Sequence, residues 1–247
     1  MPLPLAFHKV DDRFEWGFTR NNVYGFKRII DYLDSKNYRC DDEDFEISFD
    51  DGFESVFTNA FPELKETNLR SIVFVIAGNI GGDSKWDVYP GSLKFKHLDA
   101  AQLRGLSDKG VLIGSHTMSH KNLQRMENSN IKYELQESKK IIEDIIDRPV
   151  DSICYPFGRY DKRIIELAIE AGYEKGYLFL RDDSWDTEET EYLSMLRERI
   201  PIYLFDTPLS IMLKFNGLWH FENFKGKIIK SYNIFSDYLL HKINTLK

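Results

Sequence analysis

The chain has 247 residues, 42% hydrophobic and 14% aromatic, with a formal net charge of -7. That is ample apolar material for one packed core, in a length that a single α/β barrel can occupy. No stretch nears the ~18 consecutive apolar residues of a membrane span, and the acidic balance argues against nonspecific binding to phosphate backbones. Neither a membrane-spanning protein nor a nucleic-acid binder is expected.

The opening "MPLPLAFHKVDD" has no basic start and no apolar run of secretory length, so a cytoplasmic location is the expectation. Apolar, β-branched runs then alternate with helix-length segments, the pattern of parallel strands joined by crossover helices. Strands are predicted at 3–8, 45–49, 71–76, 110–115, 151–157, 177–180 and 199–204, with helices at 23–37, 55–68, 98–110, 131–146 and 161–172. In the fourth helix Ile131, Leu135, Ile142 and Ile145 recur at helical spacing, while Glu134, Glu137, Lys139 and Lys140 are expected on other faces. Gly110 and Gly172 fall just after helical segments, where a left-handed cap precedes the next strand.

Residues 78–95 are rich in glycine and turn formers and are expected to form a long loop at the strand carboxyl ends. Cys40 and Cys154 lie in separate elements without metal or redox spacing and are expected to be free thiols with no chemistry. After about residue 205 the alternation fades, and 206–247 is expected to be a helical extension. The expectation is one domain over 1–247, a distorted parallel (β/α) barrel of about seven strands.

Polar clusters sit where predicted strands end, the usual position of working residues in parallel α/β folds. "ISFDDG" ends one strand with Asp50 and Asp51; "GSHTMSH" ends another with His116 and His120; "CYPFG" ends a third. Neighbouring carboxylates repel unless a cation or hydrogen bonds offset the charge, although an exposed acidic turn is the simpler account of the first cluster alone. The four-residue histidine spacing would put both imidazoles on one side of a helical turn, within reach of one ion, or each could satisfy local hydrogen bonds. Two neutral histidines and one carboxylate leave a position open for water, a set that suits catalytic Zn²⁺.

These motifs, in this order, resemble the polysaccharide deacetylase family, the carbohydrate esterase family 4 group. "SFDDG" is similar to its first motif, "SHTMSH" to its second, and "CYPFG" to an aromatic-proline-aromatic-glycine version of its third. "LAFHKV" is similar to the Y-H-x-V opening of many members. The resemblance implies a metal-dependent hydrolase removing N-acetyl groups from a sugar or polysaccharide. Asp51, His116 and His120 would bind the metal, most simply Zn²⁺ with Co²⁺ or Ni²⁺ as alternatives, and water activated there would attack the amide carbonyl, with Asp50 as general base. The Phe157 N–H would hold the oxyanion, and Tyr155 would border the pocket.

The chain departs from the family pattern in two places. Cys154 stands where an arginine often braces the catalytic aspartate, a task Arg199 is expected to take over, and "IYLFDTPLS" lacks the late acid histidine. His220 and His241 fit that role poorly, whereas His8 at the end of the first strand is a candidate to face the cavity. "RDDSWD" at 181–186 is a candidate fourth motif, and Trp86 is a candidate for stacking on a sugar face. The expected partner is an N-acetylated carbohydrate, and the sequence assigns no oligomeric state. The alternatives keep the fold and change the bond, as in deformylation, O-deacetylation or hydrolysis of a nonsugar amide, or make the chain a catalytically silent carbohydrate-binding domain.

Overall fold

The computed structural model describes residues 3–13, 18–38, 45–83, 94–179, 192 and 194–217. Seven parallel strands close into a barrel: β1 (Leu5–Phe7), β4 (Ile47–Phe49), β5 (Ser71–Val75), β6 (Leu112–Ser115), β7 (Ser152–Cys154), β8 (Lys175–Phe179) and β9 (Leu196–Pro201). Each coincides with a strand expected from the sequence. Closure comes from β1 pairing with β4 on one side and with β9 on the other, Leu5 lying opposite both Ile47 and Ile200. A second, two-stranded parallel sheet joins β2 (Lys9–Val10) to β3 (Arg20–Asn21), strands too short to leave a periodic signal.

Side chains alternate across each strand, and the alternation sorts this sequence into two cores. Leu5, Phe7, Ile47, Phe49, Val73, Val75, Ile113, Ile153 and Ile200 join one large cluster beneath the helices. Ile72, Phe74, Cys154 and Tyr177 form a separate cluster inside the barrel. The interior fits because β6 offers Gly114 to Phe74: a Cβ at Gly114 would lie 2.6 Å from that ring.

The crossover helices are α1 (Val23–Ser35), α3 (Ala100–Asp108), α4 (Asn128–Ile146) and α5 (Lys162–Glu170). Asn22, Asp99 and Asp161 cap three of them by accepting from the backbone N–H three residues on. Gly110 (φ +87) and Gly172 (φ +84) take the expected left-handed conformation before the following strands.

The predicted helix over 55–68 forms differently: a π turn, Val56–Ala60, leads into the short α2 (Phe61–Leu64). Pro62 has no N–H to donate to the Thr58 carbonyl, and the Phe61 N–H bonds five residues back to Val56, so the wider register carries the chain past the proline. In α4 the buried stripe is Ile131, Glu134, Leu135, Ser138, Ile142 and Ile146, which corrects the expectation that Glu134 faces away from the core and puts Ile146 where Ile145 was expected. The final α6 (Pro208–Phe215) occupies the start of the expected extension; residues 218–247, with His220 and His241, lie outside the described residues. Trp86, Cys40 and the 181–186 segment also lie outside them. No described helix is long and apolar enough to cross a membrane.

Candidate functional site

Asp50 and Asp51 follow β4 directly, and the backbone there sends them to different places. The Asp50 N–H donates to the Phe7 carbonyl at 2.9 Å, which continues the strand pairing and points the Asp50 side chain into the barrel. Asp51 (φ 70) and Gly52 (φ 69) then both turn left-handed. At Gly52 the turn presses close to β5, where a Cβ would sit 3.3 Å from the Val75 Cα, so the tight approach and the left-handed φ together favour glycine. Asp51 has a side chain in the same region and is held by its carbonyl, which accepts from His97 Nδ1 at 2.9 Å. His97 was not anticipated; a lone histidine beside a long loop carries no sequence signal of that contact.

Inside the barrel, Arg199 of β9 grips Asp50 with two parallel bonds, Nη1 to Oδ1 at 2.7 Å and Nη2 to Oδ2 at 3.0 Å. Nη1 also reaches Ser48 Oγ at 2.8 Å, and Nη2 reaches Cys154 Sγ at 2.9 Å. The guanidinium lies among the rings of Phe74, Tyr177 and Phe179, 5.2 to 5.7 Å from their centroids. Burial alone would raise the Asp50 pKa, but the Arg199 charge and its two hydrogen bonds outweigh it and hold the carboxyl below the usual carboxylate range. Burial pushes the Cys154 thiol well up, so the sulfur stands as a neutral neighbour of this pair. Arg199 thus makes the contact the sequence suggested for it.

His116 and His120 do not share a helical turn. They lie in an irregular loop after β6, in which Thr117 (φ 66) and His120 (φ 54) are left-handed. The chain folds back so that the two rings stand 4.7 Å apart and each Nε2 lies 3.6 Å from Asp51 Oδ1. The loop is tied locally: the His120 N–H donates to Thr117 Oγ1 and the Thr117 N–H to Ser115 Oγ, both at 3.1 Å. His116 Nδ1 lies 2.7 Å from the Cys154 carbonyl, an acceptor that fixes the proton on Nδ1 and leaves Nε2 as a lone-pair donor. Burial lowers the pKa of both imidazoles, which keeps them in the neutral form a metal requires.

Bond lengths of about 2.0–2.2 Å in a tetrahedral Zn²⁺ site place neighbouring donors about 3.3–3.5 Å apart. The Asp51, His116 and His120 donor atoms lie within 4.8 Å of one another, close enough that they could hold one ion. Asp50, His116 and Cys154 form a second cluster with donor atoms within 4.8 Å. That cluster fits a cation poorly, because Arg199 already occupies both Asp50 oxygens and the buried thiol keeps its proton.

The remaining expected residues divide. His8, at the end of β1, is half-buried, and its ring is near-parallel to Phe179 at 6.4 Å. Burial, opposed by the attraction of Asp50, pushes its pKa down to about 4. Its Nδ1 finds no partner among the described residues. Phe157 (φ 59) is 38% exposed and its ring stands 4.7 Å from that of His120. Tyr155 corrects the expectation that it borders the pocket. One residue beyond inward-facing Cys154, it points outward, stacks on Tyr160 at 5.5 Å, and places its hydroxyl against Gly176 of β8. Glu134 was missed as a site neighbour: its carboxylate accepts from both the backbone and the hydroxyl of Ser119, inside the histidine loop.

Comparison with known proteins places this barrel and its motifs. The profile of the polysaccharide deacetylase family matches residues 38–176. The Bacillus subtilis protein YxkH, named after the same family, is 28% identical over 130 residues, covering 53% of this chain and 42% of its own length. A poly-beta-1,6-N-acetyl-D-glucosamine N-deacetylase of Staphylococcus aureus is 24% identical over 135 residues, 53% of this chain and 46% of that protein. The chain therefore aligns with less than half the length of these curated relatives. Among solved structures, the Streptococcus pyogenes deacetylase PplD in complex with acetate superposes with a TM-score of 0.70 at 17% identity, covering 87% of this chain and 97% of that one. IcaB from Ammonifex degensii gives 0.67 at 18% identity, covering 85% and 93%. At such identities these structures speak for the fold, and the profile over more than half of the sequence speaks for descent: this chain belongs to the polysaccharide deacetylase family.

Proposed function

We propose that this protein is a metal-dependent hydrolase that removes acetyl groups from N-acetylated sugar units. The observation that carries the proposal is the junction after β4, where one aspartate is clamped by Arg199 inside the barrel and the next faces two neutral histidines. That is the division of labour amide hydrolysis needs, with one carboxylate to take a proton and one to hold a cation.

Asp51, His116 and His120 would hold Zn²⁺, with Co²⁺ or Ni²⁺ as substitutes. The ion, when bound, supplies a Lewis acid that polarises the scissile carbonyl and makes water acidic near neutral pH. Asp50 accepts the proton of the attacking water: Arg199 keeps it ionised, and while Oδ2 accepts from both Arg199 and the Cys154 thiol, Oδ1 bonds to Arg199 alone among the described residues and has a second lone-pair direction. His8, held neutral by burial and stacked on Phe179 near Asp50 and Arg199, is assigned a hydrogen bond to the substrate, and the proton that Asp50 takes from the water is the one delivered to the departing nitrogen. The Phe157 N–H is assigned to the developing oxyanion, while its exposed ring beside His120 gives the acetylated sugar an apolar surface. Trp86 remains a candidate for further sugar contact. Tyr155, turned outward, has no part in this scheme.

The substrate class draws support from the Staphylococcus aureus relative, whose name gives poly-beta-1,6-N-acetyl-D-glucosamine as its substrate. The test is acetate release from N-acetylglucosamine oligomers of that linkage and from chitin oligomers, with added Zn²⁺, Co²⁺ or Ni²⁺. The expected result is metal-dependent release of acetate with stoichiometric appearance of free amine. Binding of the oligomers without release under any of the three metals would replace this reading with that of a silent carbohydrate-binding domain.

A further inference from the structure

Glu134 occupies the core-facing stripe of α4, between Ile131 and Ser138, and is only 3% exposed. A carboxylate there costs free energy unless its hydrogen bonds are made, and an apolar residue would fill the stripe without that cost. Among the described residues, both of its hydrogen bonds come from one residue: Oε2 accepts the Ser119 backbone N–H at 2.8 Å, and Oε1 accepts the Ser119 hydroxyl. One turn further on, Ser138 Oγ meets Ser115 Oγ at 2.8 Å, and Ser115 in turn accepts from Thr117 N–H. The polar groups of this buried stripe therefore converge on residues 115–119, which include the first histidine and lead directly into the second.

That stretch needs support from outside. His116 is fixed by its own surroundings, with its N–H donating to the Val75 carbonyl at 2.8 Å and its ring on the Cys154 carbonyl. His120 is reached only through two left-handed residues that carry side chains, Thr117 and His120 itself, a conformation such residues rarely adopt unless the surroundings impose it. Ser119 immediately precedes His120, so a clamp on both its N–H and its hydroxyl fixes where the second imidazole is presented.

We infer that Glu134 is a positioning residue for the metal centre: through Ser119 it holds His120 in ligating geometry, and without it the site keeps Asp51 and His116 but loses its third ligand. The inference rests on the assignment of Asp51, His116 and His120 as a metal site and adds a residue on a separate helix to it.

The test is the Zn²⁺ affinity of the full chain, read by competition with a chromophoric chelator, together with the visible spectrum of the Co²⁺-loaded protein. Loss of a group that orients a ligand typically lowers metal affinity by about 10–100-fold, and Glu134→Gln is expected to fall in that range. Its Co²⁺ spectrum should weaken as water replaces one imidazole and the coordination number rises. Ser119→Ala, on an exposed residue and with the backbone bond retained, should lower affinity by a smaller factor; should Glu134→Gln fail to fold, this variant decides alone. Ile146→Ala, at the far end of the same helix, should lower the melting temperature with unchanged affinity. An equal loss of affinity in Ile146→Ala would reduce Glu134 to a general stabiliser and overturn the inference. Wild-type affinity in folded Glu134→Gln and Ser119→Ala would overturn it too, provided His116→Ala still abolishes binding. Full binding in His116→Ala would instead remove the metal-site assignment itself.

Discussion

The barrel interior and the rim of this protein solve the same problem, placing a charged group out of water, by different means. In the interior, the Asp50–Arg199 pair joins the end of β4 to β9, the two strands that flank β1, is enclosed by Phe74, Tyr177 and Phe179, and is held by packing and a two-point ion pair. At the rim, Asp51 and His120 stand in left-handed conformations and the three ligands are held by scattered hydrogen bonds: the Asp51 carbonyl accepts from His97, His116 donates to the Cys154 and Val75 carbonyls, and the His120 N–H donates to Thr117 Oγ1. The comparison teaches that the proposed base is part of the barrel and stands or falls with it. The proposed metal ligands can be loosened one at a time while the barrel remains.

Breaking the interior pair should have the largest effect. Arg199→Met leaves Asp50 as a buried charge without its partner and is expected to cost about 3–5 kcal/mol, measured by urea unfolding. Combining it with Asp50→Leu should recover much of that loss, because two apolar groups need no partners. A single variant as stable as wild type would show that the interior pair is not structural. Asp50→Asn separates chemistry from structure at the same place. It should keep stoichiometric Zn²⁺ and lower acetate release by about 10²–10⁴-fold, the usual worth of a general base; undiminished turnover would take Asp50 out of that role.

His8 lies between the two regions and offers a pH test of the metal-free protein. Burial holds its pKa down to about 4, against 6.5 for a free imidazole. Between those values the unfolded chain takes up a proton that the folded chain refuses. Stability is therefore full above about pH 6.5, falls as the pH drops toward about 4, and levels off below. His116 and His120 act in the same direction, so the His8 share is the difference between wild type and His8→Gln in melting temperature across pH 8 to 4. Parallel curves for the two proteins would refute it. The smallest effect belongs to Tyr155→Phe. The lost hydroxyl has no partner among the described residues, so stability should change by less than about 1 kcal/mol and acetate release should be unaltered. A large loss of activity would return Tyr155 to the pocket.

Much of this was legible in the sequence, and the parts that were not share a cause. The seven barrel strands follow from apolar runs between helix-length segments, and each forms. The aspartate pair, the two histidines and "CYPFG" were visible as strand ends, and strand ends of a parallel barrel share one face. The π turn at Val56–Ala60 was hidden because Pro62 reads only as a position where a helix is disturbed, whereas the remedy depends on what the neighbouring turns pack against. Glu134 read as solvent-facing because charge is the usual mark of an outer face; its burial depends on a partner fifteen residues earlier in the chain.

By itself, then, the sequence determined what period and local chemistry encode: the strand and helix order, the glycines at left-handed caps, and which polar residues stand at strand ends. The tertiary structure decided what depends on strand phase and closure. It turned Cys154 inward and Tyr155 outward, and it brought Arg199 across 149 residues of chain to Asp50. It also replaced the expected helical turn by a braced loop that lets His116 and His120 meet Asp51. Local sequence specifies which side chains alternate. Only ring closure, which fixes the rotation of every strand against its neighbours, specifies which of them face one another.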